Sequence, residues 1–316
     1  MLNRRFLRIK VYQALYGFWQ GDSTNAARNE KELFNGIDRT YDLFLSLLLV
    51  FGELRHVAEL RMTEQQKKHL PTGDDLKPDR RFVDDRLVKL FSDSTVLRLE
   101  AEKRRINWVG NHELFTRMWR EVKASPEYQS YMADADPDFS KSQKYLVRMF
   151  TDHVANSEAL QDVFEGRSIY WLEDLDLASS MVKRLLELMR ETDANDLAMA
   201  DIVRSTKEEG EFVTTLFRKT IEYQEEHEKA IAEHASNWET DRIAYSDMIL
   251  MQMALSEVRV FDQIPIKVTL NEYIEIAKAY STPKSKNFIN GVLDKIFIEM
   301  KGNGMIHKVG RGLLEN

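Results

Sequence analysis

The chain has 316 residues, of which 43% are hydrophobic and 31% are charged, a composition typical of a folded globular protein. Its net charge of −7 provides no general attraction for nucleic acid, so binding to phosphates would require a local cluster of cations. Cysteine is absent, which excludes disulfide bonds, thiolate nucleophiles and cysteine metal sites, and fits a reducing cytoplasm.

The first predicted element is a helix from Arg4 to Gln20. Glycine occurs 13 times and proline 6 times, which is scarce for this length, so we expect an all-α protein without a sheet. The arginines at the start of the helix are not followed by a continuous apolar stretch, so no secretory signal is expected. The apolar face of this helix consists of Leu7, Val11, Ala14, Leu15 and Phe18.

The longest apolar run, LFLSLLLVF, lies at 43–51. It is far shorter than the roughly 20 residues needed to cross a bilayer, so we interpret it as a buried helix and expect no membrane association. Residues that form turns and break helices predict loops at 70–81 and 124–140.

A weak internal repeat relates the middle of the chain to its end. Six residues align with six later ones, five of them at a constant offset of 67 residues and the last at 66. Either two similar helix pairs arose by duplication, or two amphipathic segments match by chance. The aligned pairs are Tyr145 with Phe212, Phe150 with Phe217, Val154 with Ile221, Phe164 with Ile231, Trp171 with Trp238, and Ala178 with Ala244.

Two helices are predicted at the beginning of the last third of the chain. The first covers 241–258, and Pro265 prevents it from continuing. In the second, Thr269 and Glu272 have the spacing of a capping box. The inward residues of the first are Ile243, Leu250, Met251, Ala254 and Val258, and those of the second are Leu270, Tyr273, Ile274, Ala277 and Tyr280.

A third helix follows, for which Thr282 suits the N-cap and Pro283 the first helical position. The helix is therefore predicted to begin at Lys284 and Lys286. Its core face consists of Ile289, Val292, Leu293, Ile296 and Met300. The glycine-rich segment 301–312 is predicted to be a mobile tail.

The start of this third helix is a candidate phosphate site. Backbone N–H groups at a helix N-terminus carry a partial positive charge, to which Lys284 and Lys286 add full charges. Phe288, one turn later, would offer a face to an unpaired base, a stacking contact worth roughly 1–3 kcal/mol. In the alternative interpretation, Phe288 belongs to the core and the lysines are solvated.

A second cationic patch lies in the first helix. Residues 1–21 contain Arg4, Arg5, Arg8 and Lys10 and no acidic residue. Such a run also occurs on solvated helices, so by itself it is a weak indication of RNA binding. It supports RNA binding if both patches lie on one surface.

In these segments the sequence resembles the NusB family of transcription antitermination factors. The similarity rests on RRFLRIKVYQALYGFWQ at 4–20, with its QALY stretch, and on IPIKVTLNEYIEIAKAYSTPKSKNFINGVLDKI at 264–296. The second stretch contains the P-x-K-V-x-x-N-E and F-[IV]-N-G-V-L-D-K motifs. The resemblance implies an all-helical fold that binds the boxA element of nascent RNA together with NusE, a small-subunit ribosomal protein, and so acts indirectly on the RNA polymerase elongation complex.

The resemblance also implies which residues bind. Lys284 stands where some family members have an acidic residue, which favours stronger RNA contact here, and Asn287 would contact bases beside the aromatic Phe288. Tyr16 and Asp247 match positions at which family members meet NusE. The implied RNA-binding residues are Arg4, Arg5, Arg8, Lys284, Lys286, Asn287 and Phe288.

Family members are much shorter than this chain, so a large insertion is predicted after the first helix. The arginine-rich helix at 1–24 and a C-terminal bundle at 208–302 would form the NusB-like domain. The residues between them, 25–207, would be a helical insertion, in which 145–190 is a degenerate copy of 212–257. A flexible tail would occupy 303–316.

The predicted function is RNA-binding antitermination in the cytoplasm, without enzymatic activity or cofactor. A catalytic alternative, based on NusB-like domains fused to RNA cytosine methyltransferases, fails because the chain has no glycine-rich cofactor loop and no cysteine. HEKAIAEH at 227–234 lacks the histidine spacing of a zinc site, so His227 and His234 are interpreted as surface residues. The remaining alternative is a protein-interaction scaffold of the transcription or ribosome-assembly machinery that does not bind RNA directly.

Overall fold

The computed structural model describes residues 4–21, 25–135, 138–193, 206–235 and 243–313. All regular secondary structure in these ranges is helical, which confirms the predicted all-α class. No helix within these ranges combines the length and the apolar character that a membrane span requires. Trp238, one member of the predicted repeat, lies outside the described residues.

The chain divides into two compact units. We call residues 36–204 the central unit, and residues 2–35 together with 205–316 the terminal unit, after their places in the sequence. The division falls within one long helix, because α2 runs from Ala26 to Gln66.

The central unit continues from α2 through six helices to a final group of three. The six are α3 (Gly73–Leu76), α4 (Arg81–Asp84), α5 (Arg86–Ser92), α6 (Thr95–Lys103), α7 (His112–Ala124) and α8 (Pro126–Ala133). The final group consists of α9 (Phe139–Met149), extended by a π-helical turn at Phe150–Ala155, then α10 (Glu158–Arg167) and α11 (Ile169–Leu188). The predicted loop at 124–140 is therefore wrong over Pro126–Ala133, because Ser125 caps α8 and Pro126 occupies its first position.

Aromatic rings dominate the core of the central unit. The apolar run at 43–51 lies on α2 and is buried except for Leu49, which confirms the predicted buried helix. The Phe51 ring stacks on Phe91 and Phe150, with centroids 4.9 Å and 6.0 Å away. Buried indole N–H groups are satisfied by main-chain acceptors, as where the Trp108 Nε1–H donates to the Ser46 carbonyl oxygen at 2.9 Å.

The terminal unit is a helical bundle packed around one central helix. Its elements are α1 (Arg4–Gln20), the first ten residues of α2, α12 (Thr206–Glu222), α13 (Gln224–His234), α14 (Tyr245–Val260), α15 (Ile266–Tyr280) and α16 (Ser285–Gly302). Helix α14 contacts α1, α12, α13, α15 and α16. All its residues from 249 to 258 are buried, as expected of a helix that is mostly apolar on every side.

Helix α1 has the predicted bounds, but two other predictions for the terminal unit are wrong. Helix α15 begins at Ile266 after Pro265, so Thr269 is buried inside the helix and forms no capping box with Glu272. The segment after α16 is mostly exposed, but up to residue 313 it is not the unattached tail that was predicted. Ile306 is buried there, and the Lys308 Nζ donates to the carbonyl oxygens of Val258 and Phe261 at 2.8 Å and 2.9 Å.

The two segments related by the predicted repeat share an order of helices. Each consists of a long helix, a short helix and another long helix: α9 with its π-helical turn, α10 and α11 in the central unit, and α12, α13 and α14 in the terminal unit. In each set the third helix packs on the first two. This shared order is consistent with duplication, which stays a hypothesis.

Candidate nucleic-acid interface

The candidate interface lies entirely in the terminal unit, where α1, α15 and the start of α16 meet. The Tyr12 ring of α1 packs against the Tyr280 ring at the end of α15, with centroids 5.6 Å apart. The Tyr12 hydroxyl donates to the Ser246 Oγ of α14 at 2.9 Å. These contacts bring the chain segment that leads into α16 close to the arginine-rich helix.

Helix α16 begins at Ser285, between Lys284 and Lys286 as predicted, but its N-cap is Lys284 rather than Thr282. The Ser285 side chain is buried and holds the preceding turn. Its Oγ accepts a hydrogen bond from the Thr282 N–H at 3.2 Å and lies 2.8 Å from the Thr282 Oγ1. The Lys284, Lys286 and Asn287 side chains are exposed around this helix start.

Phe288 does not present its ring to solvent. It is only 7% exposed and lies on the buried face of α16. This matches the alternative in which Phe288 packs in the core, because it falls on the same helical stripe as Ile289 and Val292. A base could stack on this ring only after local rearrangement.

The three N-terminal arginines occupy different environments, and Arg8 is in the core. Arg8 is 2% exposed and makes a two-pronged ion pair with Glu257, in which its Nε and Nη2 lie 2.7 Å from the two carboxylate oxygens. Glu257 is fully buried and also accepts hydrogen bonds from the Thr269 Oγ1 at 2.8 Å and the Tyr273 hydroxyl at 3.1 Å. The predicted surface position of Arg8 is therefore wrong, because its guanidinium joins α1 to α14.

Burial alone would lower the pKa of the Arg8 guanidinium, but the adjacent Glu257 carboxylate outweighs that effect and raises it. Burial, followed by the charge of Glu257, raises the pKa of Tyr273 well above its usual value, so this hydroxyl stays a donor. The buried cluster is thus one cation and one anion with their hydrogen bonds satisfied, the condition under which a buried ion pair is tolerated.

Arg5 and Arg4 are at the surface. The Arg5 side chain is 40% exposed and forms a two-pronged ion pair with Glu272 of α15, at 2.9 Å from Nε and 2.8 Å from Nη2. This hydrogen bonding to Glu272 raises the pKa of Arg5. Arg4 is exposed, and its guanidinium carbon lies 4.5 Å from the centre of the Phe212 ring, a cation–π distance.

Arg5 of the first predicted patch and the start of α16, which carries the second, both adjoin α15 in the terminal unit. Helix α15 packs on α1 and on α16, and its Glu272 is paired with Arg5. Lys278 makes the largest contribution to the lowered pKa of Glu275, also on α15, and the positive charges of Arg5 and Lys286 lower it further. The two ends of the chain, nearly 300 residues apart in sequence, therefore pack against the same helix.

A tyrosine cluster lies next to the candidate interface. Tyr16 is 40% exposed, and its ring meets that of Tyr245, also partly exposed, edge-on with centroids 5.4 Å apart. Asp247, predicted to contact a partner, is buried and accepts a hydrogen bond from the Ser281 Oγ at 2.5 Å. Asp247 is therefore placed to hold the turn before α16 rather than to meet a partner directly.

Histidine does not build a metal site. Within the described ranges, no group of three histidine, aspartate or glutamate side chains has a metal-binding arrangement. The prediction that His227 is a surface residue is wrong, because it is 2% exposed and burial lowers its pKa to about 4. His234 is partly exposed, with its Nε2 2.9 Å from a Glu299 carboxylate oxygen.

Sequence reasoning missed Glu257 and Glu272 as partners of the arginines. A signal was present, because Glu257 interrupts the apolar sequence of α14 and a charge in such a helix needs a partner. The identity of that partner was hidden, since Arg8 is 249 positions away.

The sequence model of the NusB family matches residues 169–297, from the start of α11 into α16. The match starts inside the predicted insertion. A protein called Transcription antitermination protein NusB from Salinibacter ruber is 40% identical over 142 residues, which covers 43% of this chain and 89% of that protein. A protein of the same name from Chloroherpeton thalassium is 41% identical, over 39% of this chain and 57% of that protein. Another from Halalkalibacterium halodurans is 37% identical, over 35% of this chain and 87% of that protein. No solved structure matches the chain at a significant level.

Proposed function

The chain belongs to the NusB family, and we propose that it is a transcription antitermination factor that binds boxA-type RNA together with NusE. The prediction that it is not an enzyme is confirmed by its membership of this non-enzymatic family. The proposal includes a cytoplasmic location, an indirect action on the RNA polymerase elongation complex, and a role in transcription of ribosomal RNA.

The observation that carries the proposal is that α15 packs against both α1 and α16, so Arg5, which is paired with Glu272 of α15, and the start of α16 adjoin the same helix. Arg4, Lys284 and Lys286 are exposed and would neutralise phosphates, which fixes the register of an RNA strand on the protein. Asn287, also exposed, has an amide that both donates and accepts, as contact with a base edge requires.

Arg8, Phe288 and Asp247 enter the proposal in supporting roles. Arg8 would fix the arginine-rich helix through Glu257, Phe288 would anchor α16 in the core, and Asp247 would hold the turn that precedes α16. Their burial supports a preformed binding face, because each constrains an element that carries an exposed cation.

The exposed part of the tyrosine cluster is the proposed contact for NusE. Tyr16 and Tyr245 combine a partly exposed ring with a polar hydroxyl, the kind of residue that is enriched in protein interfaces. Their position beside the cationic face would let a protein partner and an RNA strand bind at the same time.

We also propose that the NusB-like domain consists of residues 1–24 and 208–302, with 25–207 as a helical addition. The family match from residue 169 overlaps the end of that addition. The scaffold alternative is favoured by one observation: of the seven predicted RNA contacts, Arg8 and Phe288 are buried and Arg5 is already paired.

The test is a titration of fluorescent boxA-type leader RNA at two salt concentrations. Removing Lys284 and Lys286 together by alanine substitution should weaken binding about tenfold, and should reduce the slope of log affinity against log salt by about 1.4, at about 0.7 per phosphate contact on a single strand. The control is Lys295→Ala, an exposed lysine on the same helix, nine positions after Lys286 and so about 13 Å further along the helix axis. Equal affinity for wild type and the double variant would reject the RNA proposal and favour the scaffold.

A further inference from the structure

Glu272 holds the one arginine of α1 that is both accessible to RNA and already paired with a carboxylate. The pair is at the surface, with the Arg5 side chain 40% and the Glu272 side chain 20% exposed. It differs in this respect from the fully enclosed pair that Arg8, one turn later on α1, makes with Glu257 of α14. Exposed ion pairs open at small cost, whereas enclosed ones do not.

A phosphate group that binds the Nε–Nη2 edge of the Arg5 guanidinium would have to displace Glu272. The Nε and Nη2 groups form the planar fork that matches either a carboxylate or a phosphate, and both hydrogen bonds of this fork go to Glu272. Glu272 and an RNA phosphate are therefore competitors for Arg5.

Glu272 would not be left without a cation when Arg5 changes partner. Its Oε2 lies 3.6 Å from the Nη1 of Arg8, the guanidinium nitrogen that does not contact Glu257 in the two-pronged pair. Arg8 is fixed by its buried bonds, so it can retain Glu272 after Arg5 has left. Glu272 would then share Arg8 with Glu257 and stay within ion-pair distance of a cation.

We infer that Glu272 is an affinity-limiting residue of the RNA face: it occupies Arg5 in the free protein and gives it up to a phosphate while remaining paired with Arg8. This inference rests on the proposed RNA function. Glu272, the glutamate of the N-E motif, lies beside the cations of this surface. Because it is paired with Arg5, its main effect is to keep that one arginine from a phosphate, and it does not repel the whole RNA strand. RNA that binds only through charge would gain most from removal of this carboxylate, because nonspecific binding comes mainly from phosphate contacts.

A double-mutant cycle tests the exchange. Glu272→Gln, Arg5→Ala and the combined variant would be titrated with boxA-type RNA and with a scrambled RNA of equal length, across a salt series. Glu272→Gln should tighten binding about 3- to 10-fold at low salt, and should steepen the salt slope by about 0.7, the value for one added phosphate contact. In the Arg5→Ala background the same substitution should change affinity less than twofold, because Glu272 then has no Arg5 guanidinium to withhold from a phosphate.

Glu275→Gln is the matched control, because it removes an equal charge from the same helix face but not from the Arg5 fork. Its effect on affinity should depend less on Arg5 than that of Glu272→Gln, because Glu275 acts on Arg5 as a nearby charge, whereas Glu272 accepts both hydrogen bonds of the fork. If Glu272→Gln reduces the melting temperature strongly, Glu272→Asp keeps the charge while shortening its reach and should give a smaller gain of the same sign.

Two results would overturn the inference: an affinity of Glu272→Gln no tighter than that of wild type, or a gain that persists in the Arg5→Ala background. Either leaves the proposed function standing if wild type binds boxA-type RNA. Absence of RNA binding by wild type and by every variant would reject both.

Discussion

The two units differ in their net charge and in whether charged side chains lie in the core. The central unit, 36–204, contains 25 of the 45 lysines and arginines of the chain and 31 of its 52 aspartates and glutamates. The rest of the chain contains the other 20 basic and 21 acidic residues. The core of the central unit is built from stacked and edge-on rings such as Phe82 and Trp119, 4.7 Å apart. The core of the terminal unit encloses an ion pair, and its surface displays cations from both chain ends.

This difference in charge favours the terminal unit as the place where a phosphate strand would bind. Most of the net negative charge lies in the central unit, so the terminal unit is close to neutral and its local cations can act on a phosphate strand with little opposition. The buried Arg8–Glu257 pair fixes the helix that carries two of those cations. The following predictions test the contrast, in order of decreasing effect.

Removing the buried carboxylate of the terminal unit should have the largest effect on stability. Glu257→Ala leaves the Arg8 guanidinium buried without a counterion and should lower the free energy of unfolding by about 3–5 kcal/mol, measured by urea denaturation. Combining Glu257→Leu with Arg8→Met should recover much of this loss, since no charge is then left unpaired. A loss below about 1 kcal/mol in the single variant would mean that the pair does not organise this core.

In the central unit, cavity formation should cost about 3 kcal/mol without affecting RNA binding. Phe82→Ala empties a fully buried position that packs on Trp119 and Tyr128, and large-to-small changes of this kind are among the most destabilising in cores. We expect the folded variant to bind boxA-type RNA with wild-type affinity in a titration below its melting temperature. Weakened RNA binding by this folded variant would show that the central unit contributes to the site.

His227 should make the terminal unit sensitive to mild acid. Burial lowers its pKa to about 4, from a usual value of about 6.5, so protons bind the unfolded chain more strongly than the folded one. Its contribution is fully present above pH 6.5 and is lost as the pH falls towards 4, by about 2 kcal/mol between pH 6.5 and 4.5. The surrounding groups include Glu226, which favours protonation, and Arg259, which opposes it.

The measurement is urea denaturation at both pH values for wild type and His227→Phe, with the difference between the two proteins as the readout. Wild type should lose about 2 kcal/mol more than the variant over this interval. Equal losses would mean that His227 becomes protonated without disturbing the fold.

The helical class, α1 and the approximate positions of α14 to α16 could be predicted from periodicity, because each has an apolar stripe of sufficient length. Helix α8 was missed because the proline and serine before it were interpreted as loop residues, although they form its cap and first turn. The packed segment after α16 was missed because its anchors, such as Lys308 on the end of α14, depend on tertiary contacts that glycine content does not reveal.

The candidate site was predictable in outline and wrong in detail for a single reason. Sequence shows that cations are clustered, but not whether a distant carboxylate already binds them. Arg4, Arg5 and Arg8 look equivalent along the chain, yet one is exposed on an aromatic ring, one shares a surface glutamate and one is enclosed with Glu257. Phe288 and Ile289 are likewise adjacent in sequence, and both are packed inward.

The claim that RNA binds to the terminal unit is tested most directly by photo-crosslinking. The full-length protein would be irradiated with boxA-type RNA containing 4-thiouridine, and the crosslinked peptides identified by mass spectrometry. The account predicts crosslinks in peptides from 4–20 and from 281–291, which are lost when unlabelled RNA competes. Competable crosslinks confined to peptides from 36–204 would contradict it.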